Sequence, residues 1–162
     1  MKPYWIAVAA MTLLANPALA AGTVVKVTLW DKGPTSLDKI GQGPGAGMGM
    51  PAAGASNEML GITTDKTTVP AGEVTFEVAN DSKDIVHEMI VAPAKPPQPL
   101  PFDKSALAVQ EEATTPLGEV SELDPGAAGA LTVALKPGKY ILYCNVPGHY
   151  MLGMWTELTV TG

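Results

Sequence analysis

The residues with the most chemical potential in this chain are also its rarest: one Cys and two His in 162 residues. Cys144 and His149 share the segment Cys144-Asn145-Val146-Pro147-Gly148-His149-Tyr150-Met151-Leu152-Gly153-Met154-Trp155 with the thioether of Met154. Five steps separate thiol from imidazole and five more reach the thioether, so one loop between two strands can aim all three at a single point. The second imidazole, His87, stands on an apolar segment read as a strand, where residues 87, 89 and 91 share a face. A thiolate and two imidazoles in a trigonal plane, with a long weak axial Met, form the ligand set of a copper centre that cycles between Cu(I) and Cu(II). Zinc prefers tetrahedral Cys, His and carboxylate ligands and gains little from Met, and divalent affinity also peaks at copper. Metal binding deprotonates a thiol whose free pKa is about 8.5.

Each residue alone has a plainer reading. A lone Cys in a strand is usually a small buried hydrophobe, a His on an apolar strand usually a hydrogen-bonded core residue, and Met151 and Met154 beside Trp155 ordinary packing. The joint occurrence of the single Cys, both His and a correctly spaced Met favours metal binding. Met154 is the better axial candidate, because Met151 is only two residues beyond His149. Met48, Met50, Met59 and Met89 read as loop or core residues, with Cu(I) capture as the alternative for the first two. A single Cys excludes an internal disulfide, a four-Cys metal site and an iron–sulfur cluster.

Positioning such donors requires a rigid frame, and the chain supplies strands. Residues 23–30 alternate Val24, Lys26 and Thr28 with Val25, Val27 and Leu29, the period-two signal of a half-buried strand. Residues 67–80 carry the turn Val69-Pro70-Ala71-Gly72 and then Val74-Thr75-Phe76-Glu77-Val78. Residues 85–92 are apolar on both faces, as in a strand covered on both sides. Residues 131–135 alternate again, and Lys136-Pro137-Gly138-Lys139 places Pro and Gly as a type II turn requires. Residues 140–144 are expected to return as the hairpin partner, and residues 155–160 form the last strand. With 17 Gly and 15 Pro interrupting helices, about seven short strands indicate an all-β fold, an antiparallel β-sandwich in a single domain.

Two segments fall outside this pattern. Residues 41–57 hold six Gly, two Pro, Met48 and Met50, a composition expected to form a long flexible loop. Residues 93–101 hold five Pro and read as an extended surface insertion, with a short helix expected over 104–112. Residues 1–20 read as a cleaved secretory signal, with Lys2, an apolar run from Trp5 to Leu14 and a small-x-small site before Ala21. That run is shorter than the roughly 20 residues of a membrane span. The mature chain, 21–162, is therefore expected to be exported to the periplasm, without a span. The net charge is −6 from 10 Lys and 16 acidic residues, and −7 without Lys2. An acidic chain lacking Arg offers nothing to nucleic-acid phosphates. In an oxidising compartment a lone thiol should be buried, metal-bound or both.

The His87 segment, Leu135-Lys136-Pro137-Gly138-Lys139-Tyr140, and Tyr143-Cys144 leading to Pro147-Gly148-His149 and Gly153-Met154 resemble the cupredoxins, the type 1 or blue copper proteins. The resemblance covers residues 59–162 and the first strand. It implies a Greek-key β-sandwich with copper at one end, His87, Cys144 and His149 as equatorial ligands and Met154 as the axial one. It also implies an electron portal at an apolar patch around His149, here Pro147, Tyr150, Met151 and Leu152, and a second route through Tyr143. Glu88 departs from the Asn or Ser that many members carry, leaving open an altered colour, a lowered potential or a solvent-facing side chain. The resemblance implies a monomeric one-electron carrier between redox partners such as a c-type cytochrome or a copper oxidase or reductase. Copper tolerance, by sequestration or delivery, is the alternative motivated by Met48, Met50 and Glu88. An enzyme is not expected, because both His are already committed and no further cluster exists.

Overall fold

In the computed structural model, residues 22–39, 59–94 and 100–162 are described. The expected signal segment at 1–20, the Gly/Met-rich loop at 41–57 with Met48 and Met50, and most of the Pro-rich insertion lie outside the described residues. None of the described helices is long and apolar enough to cross a membrane.

Among the described residues the first element is β1 (Thr23–Asp31), followed by a 3-10 segment (Pro34–Lys39). Next come β2 (Leu60–Thr64), β3 (Thr68–Pro70), β4 (Gly72–Asn80) and β5 (His87–Pro93). The short strands β6 (Phe102–Asp103) and β7 (Ala108–Val109) precede a one-turn helix, α1 (Glu111–Thr114). The chain ends with β8 (Gly118–Leu123), β9 (Ala128–Leu135), β10 (Gly138–Tyr143) and β11 (Trp155–Thr161). The strands β2-β1-β4-β9 make one sheet and β3-β11-β10-β5-β8 the other. Val25, Val27, Leu29, Val74, Phe76 and Val78 from the first sheet meet Met89, Val91, Leu142 and Leu158 from the second in one buried cluster. The alternation along β1 and β4 puts every second side chain into this cluster, which makes the two sheets a sandwich. Strand β5 is buried on both faces: Ile90 and Ala92 join a second cluster with Ile141, Tyr143 and Tyr150.

The pairing departs from expectation in three places. The segment 131–135 and its supposed hairpin partner do not pair. Strand β9 runs antiparallel to β4 in one sheet, while β10 lies between β5 and β11 in the other. The Pro137-Gly138 turn therefore carries the chain across the sandwich, with Gly138 at φ 156°. The Tyr140 hydroxyl braces this corner, donating to the Lys136 carbonyl at 2.9 Å. Second, the sheets are mixed, because β1 runs parallel to β4 and β11 parallel to β3. Third, the helix expected over 104–112 is reduced to the single turn of α1, which overlaps only the end of that span because β7 occupies part of it.

Two strands carried too little signal to be anticipated. In β2 the buried residues are Leu60, Gly61 and Ile62, so only two side chains larger than hydrogen enter the core. That Gly is required, because a Cβ there would run into the indole ring of Trp30. Strand β8 has two acidic residues among six and lies at a sheet edge, where charge discourages pairing with another chain. It pairs with β5 through a register irregularity between His87 and Met89.

Candidate metal centre

All four expected donors come from strand ends or the loop at one end of the second sheet. His87 opens β5, Cys144 directly follows β10, and Met154 directly precedes β11. His149 lies between them, immediately before a 3-10 turn, Tyr150–Leu152. His87, Cys144 and Met154 are 0 % exposed and His149 is 1 % exposed. The ligating atoms of His87, Cys144 and His149 all lie within 4.8 Å of one another. His149 Nδ1 is 3.3 Å from Cys144 Sγ and 3.2 Å from His87 Nδ1.

The loop is held by its own backbone. Cys144 N–H donates to the Met154 carbonyl at 3.0 Å, and Met154 N–H donates to the His149 carbonyl at 3.1 Å. These two bonds tie the backbones of Met154 and His149 to that of Cys144. His149 N–H closes a tight turn onto Val146 O at 3.0 Å, and Gly148 N–H reaches Leu107 O at 2.7 Å. Gly148 and Gly153 have φ of 88° and 103°, left-handed conformations that cost glycine little. Asn145 ties the loop outward: its Oδ1 accepts from Val109 N–H at 2.6 Å and its Nδ2 donates to Val109 O at 3.1 Å.

The electrostatics fit a bound cation. Burial pushes the Cys144 thiol up to about 12, even though N–H groups of Glu88 and Val146 favour the thiolate. The protein alone cannot ionise this sulfur at neutral pH, whereas a coordinated metal does so outright. Burial, followed by the neighbouring His87, lowers His149 to about 4. Burial also lowers His87, against the pull of Asp31. Both rings are therefore neutral at physiological pH and keep a lone pair. His149 Nε2 is buried without a hydrogen-bond partner among the described residues. Soft sulfur and two neutral imidazoles facing one another in a dry pocket are the donor chemistry of a type 1 copper site, with Met154 adjoining.

Four residues that the sequence did not mark support the centre. Asp31 at the end of β1 sets Oδ2 3.2 Å from His87 Nε2. Asn80 at the end of β4 donates to Ile85 O at 2.9 Å and Leu123 O at 2.8 Å, and its Oδ1 accepts from Ser82 N–H at 2.9 Å. The Ser82 hydroxyl in turn accepts from Ile85 N–H at 2.9 Å, shaping the approach to His87. Asn145, described above, is the fourth. Two of the expected portal residues, Met151 and Leu152, are partly exposed and Pro147 is exposed. Tyr150 is not part of any surface patch: it is 2 % exposed, its oxygen accepts from Leu100 N–H at 3.2 Å, and it packs edge-to-face on Tyr143. The His149 ring has no open edge either. Tyr143 is fully buried, with its hydroxyl 3.2 Å from Thr114 Oγ1.

Glu88 is half-buried and tied down rather than free in solvent. Its Oε1 accepts from Asn145 N–H at 2.9 Å, bridging β5 to the residue after Cys144. Burial raises this carboxyl to about 7; the Asn145 bond opposes the rise and Glu119, Glu111 and Glu122 add to it. The folded chain thus holds this proton more tightly than the unfolded one. The stability it contributes is present below the ordinary value of 4.5 and is lost as pH rises through about 7. His149 acts in the opposite sense, its contribution being lost as pH falls from 6.5 through about 4. The two trends offset between about pH 4.5 and 6.5, so in the metal-free protein the Glu88 loss shows as a decline from about pH 6.5 to 7. Glu88→Gln should abolish that decline in the urea midpoint and unmask a loss of stability as pH falls from about 6.5 to 4. A decline of the same size in the variant would rule out Glu88 as its source.

A family model described as copper binding proteins, plastocyanin/azurin family, matches residues 48–161. No curated protein matches the chain in sequence. Among solved structures, sodium-dithionite-reduced auracyanin from the photosynthetic bacterium Roseiflexus castenholzii is similar, with 19% identity and a TM-score of 0.52 over 88% of this chain and 99% of that one. Rusticyanin from Thiobacillus ferrooxidans is similar with 16% identity and a TM-score of 0.53, over 87% of this chain and 79% of that one. At these identities the likeness is one of fold.

Proposed function

The chain belongs to the plastocyanin/azurin family of copper binding proteins, and from that premise we propose that it is an exported one-electron carrier. His87, Cys144 and His149 would hold the copper, with Met154 as a further, weaker donor. The observation that carries this reading is the convergence of three buried donor atoms within 4.8 Å. Copper bound there supplies a single-electron couple between Cu(I) and Cu(II). The chain's own part is to keep the donors fixed. Three come from one hydrogen-bonded loop and the fourth from a central strand, so little in the protein has to move when charge changes. The pocket also excludes water, which keeps the thiolate from oxidation.

The burial of every donor favours holding the metal over handing it on, which supports electron carriage above delivery. The copper-tolerance reading would rest on Met48 and Met50, which lie outside the described residues. The protein works in the periplasm as a monomer and docks weakly, with interfaces under about 1,200 Å². Its partners are redox proteins such as a c-type cytochrome or a copper oxidase or reductase. The excess of 16 acidic over 10 basic residues suits a partner with a basic patch, since complementary charge speeds encounter. It is not an enzyme, because the two His that could act as general bases are both assigned to the metal. Voltammetry of the copper-loaded chain should give one reversible one-electron wave. Absence of any reversible wave at an accessible potential would defeat the proposal.

A further inference from the structure

We propose that Asp31 is the positioning residue of the metal centre, accepting a hydrogen bond from His87 Nε2–H so that the ring turns its Nδ1 lone pair toward Cys144 and His149. The inference rests on the reading of His87 as a ligand and goes beyond it by assigning the residue that orients the ring and tunes the copper.

The geometry gives Asp31 little freedom. Its Oδ2 lies 3.2 Å from His87 Nε2, and the two side chains are 3% and 0% exposed. Its Oδ1 accepts from Gly33 N–H at 2.6 Å, and the Ser82 side chain adds a further hydrogen bond to the carboxylate. Those bonds aim the carboxylate before any metal arrives. An ionised carboxylate can only accept, so the shared hydrogen must belong to Nε2. A neutral imidazole has one N–H, which leaves Nδ1 as a bare lone pair directed at the centre. The opposite tautomer would set lone pairs of Nε2 and Oδ2 against each other across a buried contact.

The contact also joins the two halves of the fold. Asp31 ends β1 in one sheet and His87 opens β5 in the other, and the pair is separated by 56 residues. Asn80, on the strand beside β1, fixes the connection between β4 and β5 through Ile85 and Ser82. A carboxylate behind the imidazole makes Nδ1 a stronger donor. It favours Cu(II), the more highly charged ion, over Cu(I) and so lowers the potential.

The test uses the full chain and Asp31→Asn, which keeps the shape and removes the charge. Ring ¹⁵N NMR of the metal-free wild type should place the His87 proton on Nε2. In the copper-loaded variant the thiolate-to-copper colour should persist, while Cu(II) affinity falls by about 10-fold or more and Cu(I) affinity falls less. A tenfold change in that ratio raises the midpoint potential by about 59 mV. A purely structural Asp31 would leave the potential of the folded, coloured variant where it was. Finding the proton on Nδ1 in the wild type, or an unshifted potential in the variant, overturns the proposal. Should the variant not fold, the wild-type tautomer decides alone. Wild type that takes up copper without intense colour refutes the ligand reading instead, and the metal-free tautomer still judges Asp31 separately.

Discussion

Cys144→Ser should bleach the copper-loaded chain, removing essentially all of its intense visible absorption together with the reversible redox wave. The colour arises from charge transfer out of a thiolate, and Cys144 is the sole thiol in the sequence. A serine oxygen at the same place is harder, stays protonated at neutral pH and offers no equivalent transition. The fold should survive the exchange. The substitution places a hydroxyl in a fully buried position, which costs about 1–3 kcal/mol when unpaired. The Glu88 N–H, 3.5 Å from the sulfur, is available to offset part of that. A cooperative urea transition in the variant, with colour gone, separates loss of the ligand from loss of structure. Retention of the visible band in a folded variant would eliminate Cys144 as the coordinating sulfur.

The second large effect is thermal. Copper loading should raise the melting temperature by about 10 °C, and chelation should reverse it. A ligand that binds only the folded chain stabilises it by about 4.1 kcal/mol at a thousand times its dissociation constant. In a chain of this size each kcal/mol moves the midpoint by roughly 2–4 °C. The physical source is the cluster itself. Without metal, the fold holds a thiol pushed up to about 12 beside an imidazole lowered to about 4, with the Nδ1 atoms of the two rings 3.2 Å apart. Bringing these groups together has a cost that a shared cation offsets. Calorimetry with and without copper measures the shift, and Cys144→Ser is the control. A rise under about 2 °C, or one of equal size in Cys144→Ser, would mean that the metal binds elsewhere.

The proposed donor set could be read from the chain because its members are scarce and mostly local. Three of the four sit within one loop, where spacing alone limits how far apart they can lie. The fourth was one of only two imidazoles, on a segment apolar enough to be recognised as a buried strand. The alternation in β1 and β4 announced a sandwich for the same reason: side-chain periodicity is a property of neighbouring residues. The family resemblance, carried by the same loop, agrees with the family that residues 48–161 match.

What remained hidden depends on neighbours that are distant in sequence. The Pro137-Gly138 turn specified a change of direction, yet not that β9 and β10 would part into opposite sheets; facing core surfaces decide that. Strands β2 and β8 have too few buried apolar residues to stand out and exist because β1 and β5 offer edges to pair with. Tyr150 looked like a surface residue of the metal loop and turned inward because Tyr143, Phe102 and Leu100 form a pocket for it. Asp31 was an unremarked acid at a strand end until packing of the sheets brought it against His87. The proposed metal donors were therefore legible in residue type and short-range spacing. Their orientation, protonation and enclosure were decided only by the packed sandwich, since hydrogen-bond partners and solvent exclusion come from side chains that meet across the fold.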